Sequence, residues 1–236
     1  MKVVAHRGYC ARYPENSTLA FEQAIAAGAD YIETDVRIAA DGTLVCWHDP
    51  NFDRVAGDAT AIATSSSEVI ARIALPGGAR VHRLEDVLAV ARGRIPVMLD
   101  VKVDDDAART AIIRTVTAAG MMQQVVYGIR HPRHAHALDA EGARCARLAM
   151  PAKPEMLAEF PLQGLIGARL WEDQVSDEAV ARIRALELEV WVTAGFRGRG
   201  EKPGDIDGQR LRRLRGGGID AVLVNDVERA VAIAHE

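Results

Sequence analysis

The sequence is poor in features that mark secreted and membrane-spanning proteins. It has only three cysteines in 236 residues. Because Cys10, Cys46 and Cys145 lack C-x-x-C spacing, they favour reduced thiols in the cytosol over a disulfide framework. The segment from Met1 to Ala5 does not resemble a signal peptide, and no apolar run is long enough to span a bilayer. We therefore expect a cytoplasmic protein without stable membrane insertion.

An excess of one charge sign is also missing. The 29 Lys and Arg residues against 33 Asp and Glu residues give a formal net charge of −4. This value is too near neutral to attract nucleic acid or a membrane surface by bulk electrostatics, so we expect no nucleic-acid partner. The apolar content of 49% is ordinary for a globular protein. The length predicts one domain over residues 1–236.

Strand-like apolar runs alternate along the chain with amphipathic segments. The predicted strands are 2–6, 31–36, 95–102, 124–129, 143–149, 164–170, 188–194 and 220–225. The predicted helices between them are 17–27, 84–92, 107–119, 131–141, 176–186 and 209–215. This alternation predicts an α/β fold, a (β/α)8 TIM barrel.

Two segments do not follow the alternation of strands and helices. Thr43 to Trp47 comes after Asp41-Gly42, a hairpin signal, and is predicted to return antiparallel above the barrel mouth. Residues 53–83 form no strand-helix unit, which indicates an insertion over the catalytic end. Such an insertion either shapes substrate choice or is a tolerated loop. Hairpin and insertion together occupy about residues 37–83.

Side chains capable of acid/base and metal chemistry follow the first two predicted strands. His6 and Arg7 come at the end of the first strand, and Glu33 and Asp35 share one face of the second because they are two residues apart. Two buried carboxylates on one face repel, and a cation that prefers oxygen ligands resolves that repulsion. The structural alternative is a buried ion pair with Arg7 and Lys102.

Further polar residues extend this cluster. Asp100 and Lys102 lie at the end of the third predicted barrel strand, where the active residues of such barrels are found. His6 and His48 bracket the carboxylate pair, which favours an acid/base pair over two structural histidines. Arg7 and Lys102 are suited to the charge on non-bridging phosphoryl oxygens. The pattern predicts a phosphoryl-transfer site.

The order of these motifs resembles the glycerophosphodiester phosphodiesterase family. The matching motifs are His6-Arg7-Gly8, Pro14-Glu15-Asn16, Glu33-x-Asp35, Asp41-Gly42, His48-Asp49, Leu84-Glu85-Asp86-Val87-Leu88, Leu99-Asp100-Val101-Lys102, Gly218-Ile219-Asp220-Ala221 and Asn225-Asp226. The resemblance implies a phosphatidylinositol-phospholipase-C-like barrel that hydrolyses glycerophosphodiesters to sn-glycerol 3-phosphate and an alcohol, within glycerol and lipid metabolism. The alternatives are a lysophospholipase D or sphingomyelinase D-like phosphodiesterase and, in another class, a non-catalytic phosphodiester-binding barrel.

The resemblance also implies roles for individual residues. Glu33, Asp35 and Asp100 would bind one divalent cation, and an all-carboxylate ligand set favours Mg²⁺ or Ca²⁺. His6 and His48 would be the general acid and base, in either order. Arg7 and Lys102 would complete the catalytic set.

The chain departs from the family pattern at two strands. Asp100 stands where the family usually has glutamate, so a water could lie between this shorter carboxylate and the ion. Val192-Thr193-Ala194-Gly195 replaces an aromatic-Thr-Val-Asn run in the seventh strand, where part of the substrate wall is expected.

Some residues allow a structural as well as a functional interpretation. Glu15 and Asn16 either touch the site or form a loop and helix cap. Trp171 and Trp191 either line a pocket or pack in the core. The loop 197–202 either attracts an anionic substrate end or is solvated.

Overall fold

The computed structural model describes residues 1–197 and 200–236. Its strands are β1 (Lys2–Ala5), β2 (Tyr31–Ile38), β3 (Leu44–Cys46), β4 (Asn51–Phe52), β5 (Asp58–Ala61), β6 (His82–Arg83), β7 (Val97–Val101), β8 (Val125–Ile129), β9 (Ala146–Ala149), β10 (Leu165–Trp171), β11 (Glu189–Thr193) and β12 (Ala221–Val224). Its α-helices are α1 (Thr18–Ala26), α2 (Asp53–Ala56), α3 (Ser67–Ile70), α4 (Leu84–Ala91), α5 (Asp106–Ala118), α6 (Pro132–Ala140), α7 (Asp177–Arg184), α8 (Gly208–Gly216) and α9 (Val227–Ala234).

Eight parallel strands close into a barrel. They are hydrogen-bonded in the order β1-β12-β11-β10-β9-β8-β7-β2, and the pairing of β1 with β2 completes the ring. The predicted TIM barrel is confirmed, and each of the eight predicted strands is present with ends that differ by at most three residues. The carboxyl ends of all eight strands therefore meet at one mouth.

The two faces of each barrel strand belong to different parts of the core. On β1, Val3 and Ala5 pack in the large cluster that the helices cover, whereas Val4 points into the barrel with Leu223 and Trp191. This alternation follows from the two-residue period of a strand. The apolar residues inside the barrel form a floor beneath the polar side chains of its mouth.

The six predicted helices are present as α1, α4, α5, α6, α7 and α8. Helix α9 was not predicted from the sequence; it begins after Asp226 and buries Val227, Ala230 and Ile233. Its eight residues span about two turns, a length at which periodicity is a weak signal. Within the described residues, no helix has the length and apolarity needed to cross a membrane.

The hairpin and the insertion lie where they were predicted. β3 pairs antiparallel with β2, with Val36 opposite Cys46, and β6 pairs with β3. The insertion carries α2, α3 and β5, which pairs with β4 just before it, and Phe52, Ile62 and Ile70 bury Trp47 in a separate apolar cluster. These elements have two to four residues, so tertiary packing rather than sequence periodicity specifies them.

Candidate active site

The turn after β1 brings Arg7 to the carboxylates of β2. Arg7 and Gly8 have positive φ values of 55° and 79°. A Cβ atom on Gly8 would lie 2.8 Å from the backbone of Ala20, so only glycine fits this close approach. In this turn the backbone N–H of Arg7 donates to Glu33 Oε2 at 2.8 Å.

Three carboxylates converge at the mouth. Asp35 on β2 lies opposite Asp100 on β7, and Glu33 is two residues before Asp35 on the same face. One ligand atom from each residue lies within 4.8 Å of the other two, and all three residues are buried. Burial together with the charges of Asp35 and Asp100 raises the pKa of Glu33 to about 8. Glu33 is therefore harder to ionise than a free glutamate unless a cation offsets the charges of its neighbours.

Two cationic side chains contact this cluster. Burial alone would raise the pKa of Asp35, but Lys102 and Arg7 outweigh it and lower that pKa. Lys102 Nζ lies 3.0 Å from Asp35 Oδ1 and 2.8 Å from Asp100 Oδ2, and Arg7 Nε lies 3.1 Å from Asp35 Oδ2. The buried ion pairs with Arg7 and Lys102, which were the structural alternative to a metal site, are therefore present. They are compatible with a bound cation.

The donor set fits a divalent cation. All three side chains offer carboxylate oxygens, the donors that Mg²⁺ and Ca²⁺ prefer. Asp35 Oδ1 is buried and accepts no hydrogen bond from the residues that the structure describes, although Lys102 is near. Asp100 is more fully engaged, because Lys102 donates to one of its oxygens and Arg130 to the other. Glu33 and Asp35 are therefore the more available pair.

Asn16 lies inside the site, which resolves the alternatives for the Pro14-Glu15-Asn16 motif. Its Nδ2 donates to Asp35 Oδ2 at 2.9 Å, while its Oδ1 accepts from Thr34 Oγ1 at 2.9 Å and from the backbone N–H of Asp35 at 3.2 Å. Asn16 itself adopts a left-handed conformation with φ 54°. This amide fixes the orientation of the Asp35 carboxylate. Glu15 also reaches the site, where it accepts a hydrogen bond from Arg7 Nη1.

We expect Asn16→Ala to lower the free energy of unfolding by about 2–4 kcal/mol, because it leaves buried Thr34 and Asp35 groups without their partner. Asn16→Gly removes the same hydrogen bonds but suits the positive φ, so it should cost about 1 kcal/mol less. Urea denaturation of the parent and both variants measures this. Equal stability of Asn16→Ala and the parent would contradict the role given to this amide.

His6 is held by an amide at the end of β12. Its Nδ1 lies 2.8 Å from Asn225 Oδ1. Asn225 Nδ2 donates to Pro203 O and to Asp205 Oδ1, which fixes the amide so that its oxygen faces the histidine. His6 Nδ1 must therefore carry the proton, and Nε2 is left with a lone pair. Burial, assisted by Arg7, lowers the pKa of His6 to about 4.

His48 approaches the mouth from the loop after β3. Arg37 on β2 donates from Nε and Nη2 to the backbone oxygen of His48, at 2.9 Å and 2.7 Å. The side chain directs Nδ1 to Asp49 Oδ1 at 2.7 Å, the geometry of an imidazole oriented by a carboxylate. Burial lowers the pKa of His48, and Asp35 and Asp49 oppose this effect. Arg54 on α2 joins Asp49 to Glu15 and so ties the insertion to the barrel.

The structure brings together all seven site residues predicted from the sequence and adds others. His6, Arg7, Glu33, Asp35, Asp100 and Lys102 are on or directly after β1, β2 and β7, and His48 faces them from the hairpin. Four further residues at the mouth, Arg37, Arg130, Arg169 and Asn225, were not predicted from the sequence as site residues. All four are on or just after barrel strands, and that position is the signal that could have identified them.

The remaining alternatives are also resolved in part. Trp191 is fully buried in the barrel and donates to Glu189, so it belongs to the core. Trp171 is half-buried at the mouth, where the guanidinium groups of Arg169 and Arg197 lie 4.8 Å and 5.2 Å from its ring centre. The predicted loop 197–202 includes residues 198 and 199, which lie outside the described residues.

Comparisons with known proteins identify related sequences and folds. Residues 6–106 match the model of the glycerophosphoryl diester phosphodiesterase family. A glycerophosphodiester phosphodiesterase of Bacillus altitudinis is 31% identical over 115 residues, which cover 46% of this chain and 47% of the relative. The chain therefore spans about half of the length of this curated relative.

Solved structures match over the full chain. A glycerophosphodiester phosphodiesterase from Agrobacterium tumefaciens superposes with a TM-score of 0.82 at 24% identity and covers 100% of both chains. An Oleispira antarctica phosphodiesterase in complex with the product sn-glycerol-3-phosphate superposes with a TM-score of 0.79 at 16% identity, over 100% of this chain and 97% of its own. At these identities the superpositions establish the barrel fold.

Proposed function

We propose that this chain is a phosphoric diester hydrolase that releases sn-glycerol 3-phosphate and an alcohol from a glycerophosphodiester, because residues 6–106 match the glycerophosphoryl diester phosphodiesterase family. The observation that carries this proposal is the pair of histidines beside three buried carboxylates at one barrel mouth. The product bound by the Oleispira antarctica relative supports the substrate class. Residues 1–236 would act as one domain, with the insertion as part of the mouth.

The carboxylate cluster would hold one divalent cation, Mg²⁺ or Ca²⁺. Glu33 and Asp35 would be its principal ligands, with Asp100 as the third. When bound, such an ion offsets the clustered negative charge and polarises a phosphoryl oxygen. Arg7 and Lys102 would stabilise the remaining negative charge on the non-bridging oxygens. Arg7 would do so with the paired N–H donors of its guanidinium, and Lys102 with the charge of its ammonium group. Both are already oriented by Asp35.

His6 would be the general base. Its neutral ring has a lone pair on Nε2, because Nδ1 donates to Asn225. This nitrogen would accept the proton of the attacking oxygen. A water gives sn-glycerol 3-phosphate directly, whereas the glycerol 2-hydroxyl gives a cyclic phosphate that a water then opens to sn-glycerol 3-phosphate. A new P–O bond forms as that proton leaves, in line with the bond that breaks.

His48 would be the general acid. Its Nδ1 donates to the carboxylate of Asp49, which stabilises the protonated ring. Nε2–H would give its proton to the leaving alkoxide as the P–O bond to the alcohol breaks. Without this proton an alkoxide is a poor leaving group.

The lysophospholipase D-like and sphingomyelinase D-like alternatives would need an apolar groove for an acyl chain. The apolar residues of the insertion instead pack against Trp47 and against one another. This packing favours small, water-soluble diesters. The non-catalytic alternative has no specific observation in its favour, because neither histidine nor any carboxylate of the pattern is lost.

Product analysis tests the proposed reaction. The protein is incubated with glycerophosphocholine and Mg²⁺ or Ca²⁺, and sn-glycerol 3-phosphate and choline are quantified. We expect equal amounts of both products from the parent and none from a Glu33→Gln variant, which controls for contaminating hydrolases. Release of phosphocholine would show cleavage on the other side of phosphorus, and no release from any glycerophosphodiester would refute the proposed activity.

Asp100 provides a test of the cation site. Asp100→Asn keeps the size of the side chain but deletes a charge, so it should weaken Mg²⁺ or Ca²⁺ binding by about tenfold or more. Asp100→Glu keeps the charge and perturbs only the geometry, so its effect should be smaller. Calorimetric titration of each ion measures the difference. Parental affinity in Asp100→Asn would place this residue outside the coordination shell and leave it as a partner of Lys102 and Arg130.

A further inference from the structure

A second group of cations lies across the barrel from Glu33 and Asp35. We call Arg130, Arg169 and Arg197, with the ring of Trp171, the arginine wall. Arg130 follows β8, Arg169 and Trp171 are on β10, and β10 is four strands from β2 in the closed ring. Arg130 connects the wall to the carboxylate cluster, because its Nη2 contacts Asp100. The wall therefore borders the same mouth as the proposed reaction centre.

Arg169 is buried without an anionic partner. It is only 5% exposed, yet among the residues that the structure describes it forms no ion pair, and its buried Nε donates no hydrogen bond. Its guanidinium is held 4.8 Å from the ring centre of Trp171. Contact with a ring face orients the guanidinium but occupies none of the N–H groups in its plane. Trp171 thus orients the guanidinium of Arg169, and the N–H groups of that guanidinium stay available to bind a ligand.

Thr193 is a second buried donor beside the wall. It lies on β11 opposite Trp171 in the strand register and is 2% exposed. Its Oγ1 has no hydrogen-bond partner within the described ranges 1–197 and 200–236. Buried donors are nearly always paired in folded proteins, so two unpaired donors on neighbouring strands indicate a ligand with acceptor oxygens.

Neutralisation of the carboxylate cluster accounts for Arg169 only at longer range: the charges of Asp100 and Glu33 raise its pKa, but among the described residues neither forms an ion pair with it. Asp35 and Asp100 already form ion pairs with Arg7, Lys102 and Arg130, and Glu33 accepts a hydrogen bond from the backbone N–H of Arg7. Glu15 has its own partner in Arg54. Burial lowers the pKa of Arg169 to about 10, so it is still a cation at neutral pH. Arg169 is thus a fourth cation beside the three carboxylates, and it has no ion pair among the residues that the structure describes.

We propose that Arg169, with Arg130 and Thr193, binds a second anionic group carried by the alcohol part of the substrate. This inference rests on the proposed function and narrows its substrate class. The preferred substrates are glycerophosphodiesters whose alcohol carries a carboxylate or a phosphate, rather than choline or ethanolamine. A bidentate contact with the fork of Arg169 would recognise either anion.

Two matched substrates test this preference. Glycerophosphoglycerol and the corresponding diester of glycerol and glyceric acid differ only in a terminal hydroxymethyl group against a carboxylate. We expect the parent to have a kcat/KM on the order of tenfold higher for the glycerate diester, mainly through a lower KM. Arg169→Met keeps the apolar stem and removes the fork, so the ratio of the two kcat/KM values should fall towards one. Arg182→Met on the exposed face of α7 is the matched control and should keep the parental ratio.

The outcomes separate this inference from the proposed function. Hydrolysis of neither diester nor of glycerophosphocholine would refute the proposed function itself, whereas hydrolysis of glycerophosphocholine alone would refute the second anion site. Hydrolysis of both with equal kcat/KM in the parent would refute the second anion site alone, and this comparison needs no variant to fold. A folded Arg169→Met that loses activity on both diesters equally would assign the guanidinium to the scissile phosphate and also overturn the inference. Thr193→Val, which keeps the shape of the side chain, should reduce the ratio by a smaller factor.

Discussion

His6→Ala and His48→Ala are each expected to lower kcat by about 10²–10⁴-fold, because each removes a proposed proton-transfer group. Divalent-ion affinity should stay near the parental value, since neither imidazole is a proposed ligand. Steady-state kinetics and calorimetric titration of the same preparations measure the two effects. His136→Ala, which changes an exposed histidine of α6, is the matched control and should be fully active.

The pH profile separates the two histidines. A base must be deprotonated, so activity rises with pH through the pKa of His6, and His6→Ala should remove the acidic limb. An acid must be protonated, so activity falls as pH rises through the pKa of His48, and His48→Ala should remove the alkaline limb. If His6→Ala removed the alkaline limb and His48→Ala the acidic limb, His6 would be the acid and His48 the base. Loss of ion binding in either variant would place that histidine in the coordination shell.

Removal of divalent ions should abolish activity and lower the thermal midpoint. Without an ion, three carboxylates with ligand atoms within 4.8 Å of one another are left to repel in a buried site. An ion at 100 times its Kd contributes about 2.7 kcal/mol of stability, which corresponds to a midpoint shift of about 5–10 °C for a domain of this size. Chelation followed by calorimetry and assay measures both effects.

Adding the ion back distinguishes loss of the bound cation from damage to the protein by the chelator. Addition of Mg²⁺ or Ca²⁺ after removal of EDTA should recover both activity and midpoint. In Glu33→Gln, whose ligand set is incomplete, EDTA should change the midpoint much less than in the parent. Full activity in metal-free protein would contradict the proposed cation dependence.

The sequence predicts the strand-borne part of the candidate site well, because strand geometry is regular. Glu33 and Asp35 are two residues apart, so a strand places both on one face wherever it lies. The barrel then brings Asp100 opposite Asp35, as the parallel register of β2 and β7 requires. These relations depend on periodicity and topology, and both are readable from the order of the residues.

The residues that the sequence did not assign depend on contacts between distant segments. Asn16 reaches Asp35 only because a loop residue adopts a left-handed conformation, which no periodicity encodes. Asn225 meets His6 across 219 positions of sequence. In the sequence, Arg169 is one polar residue within a predicted strand. Only the structure shows that its buried Nε has no hydrogen-bond partner among the described residues. Sequence position alone does not reveal such pairing or its absence.

Arg54 gives the mouth two regions that differ in their response to salt. It joins Glu15 to Asp49 through a side chain that is 47% exposed, so solvent and salt weaken these ion pairs more than they weaken buried ones. The contact between Lys102 and Asp35 lies deeper, with side chains 14% and 1% exposed. Rising ionic strength therefore weakens the contacts that hold the loop of His48 against the barrel. The buried carboxylate cluster keeps its geometry.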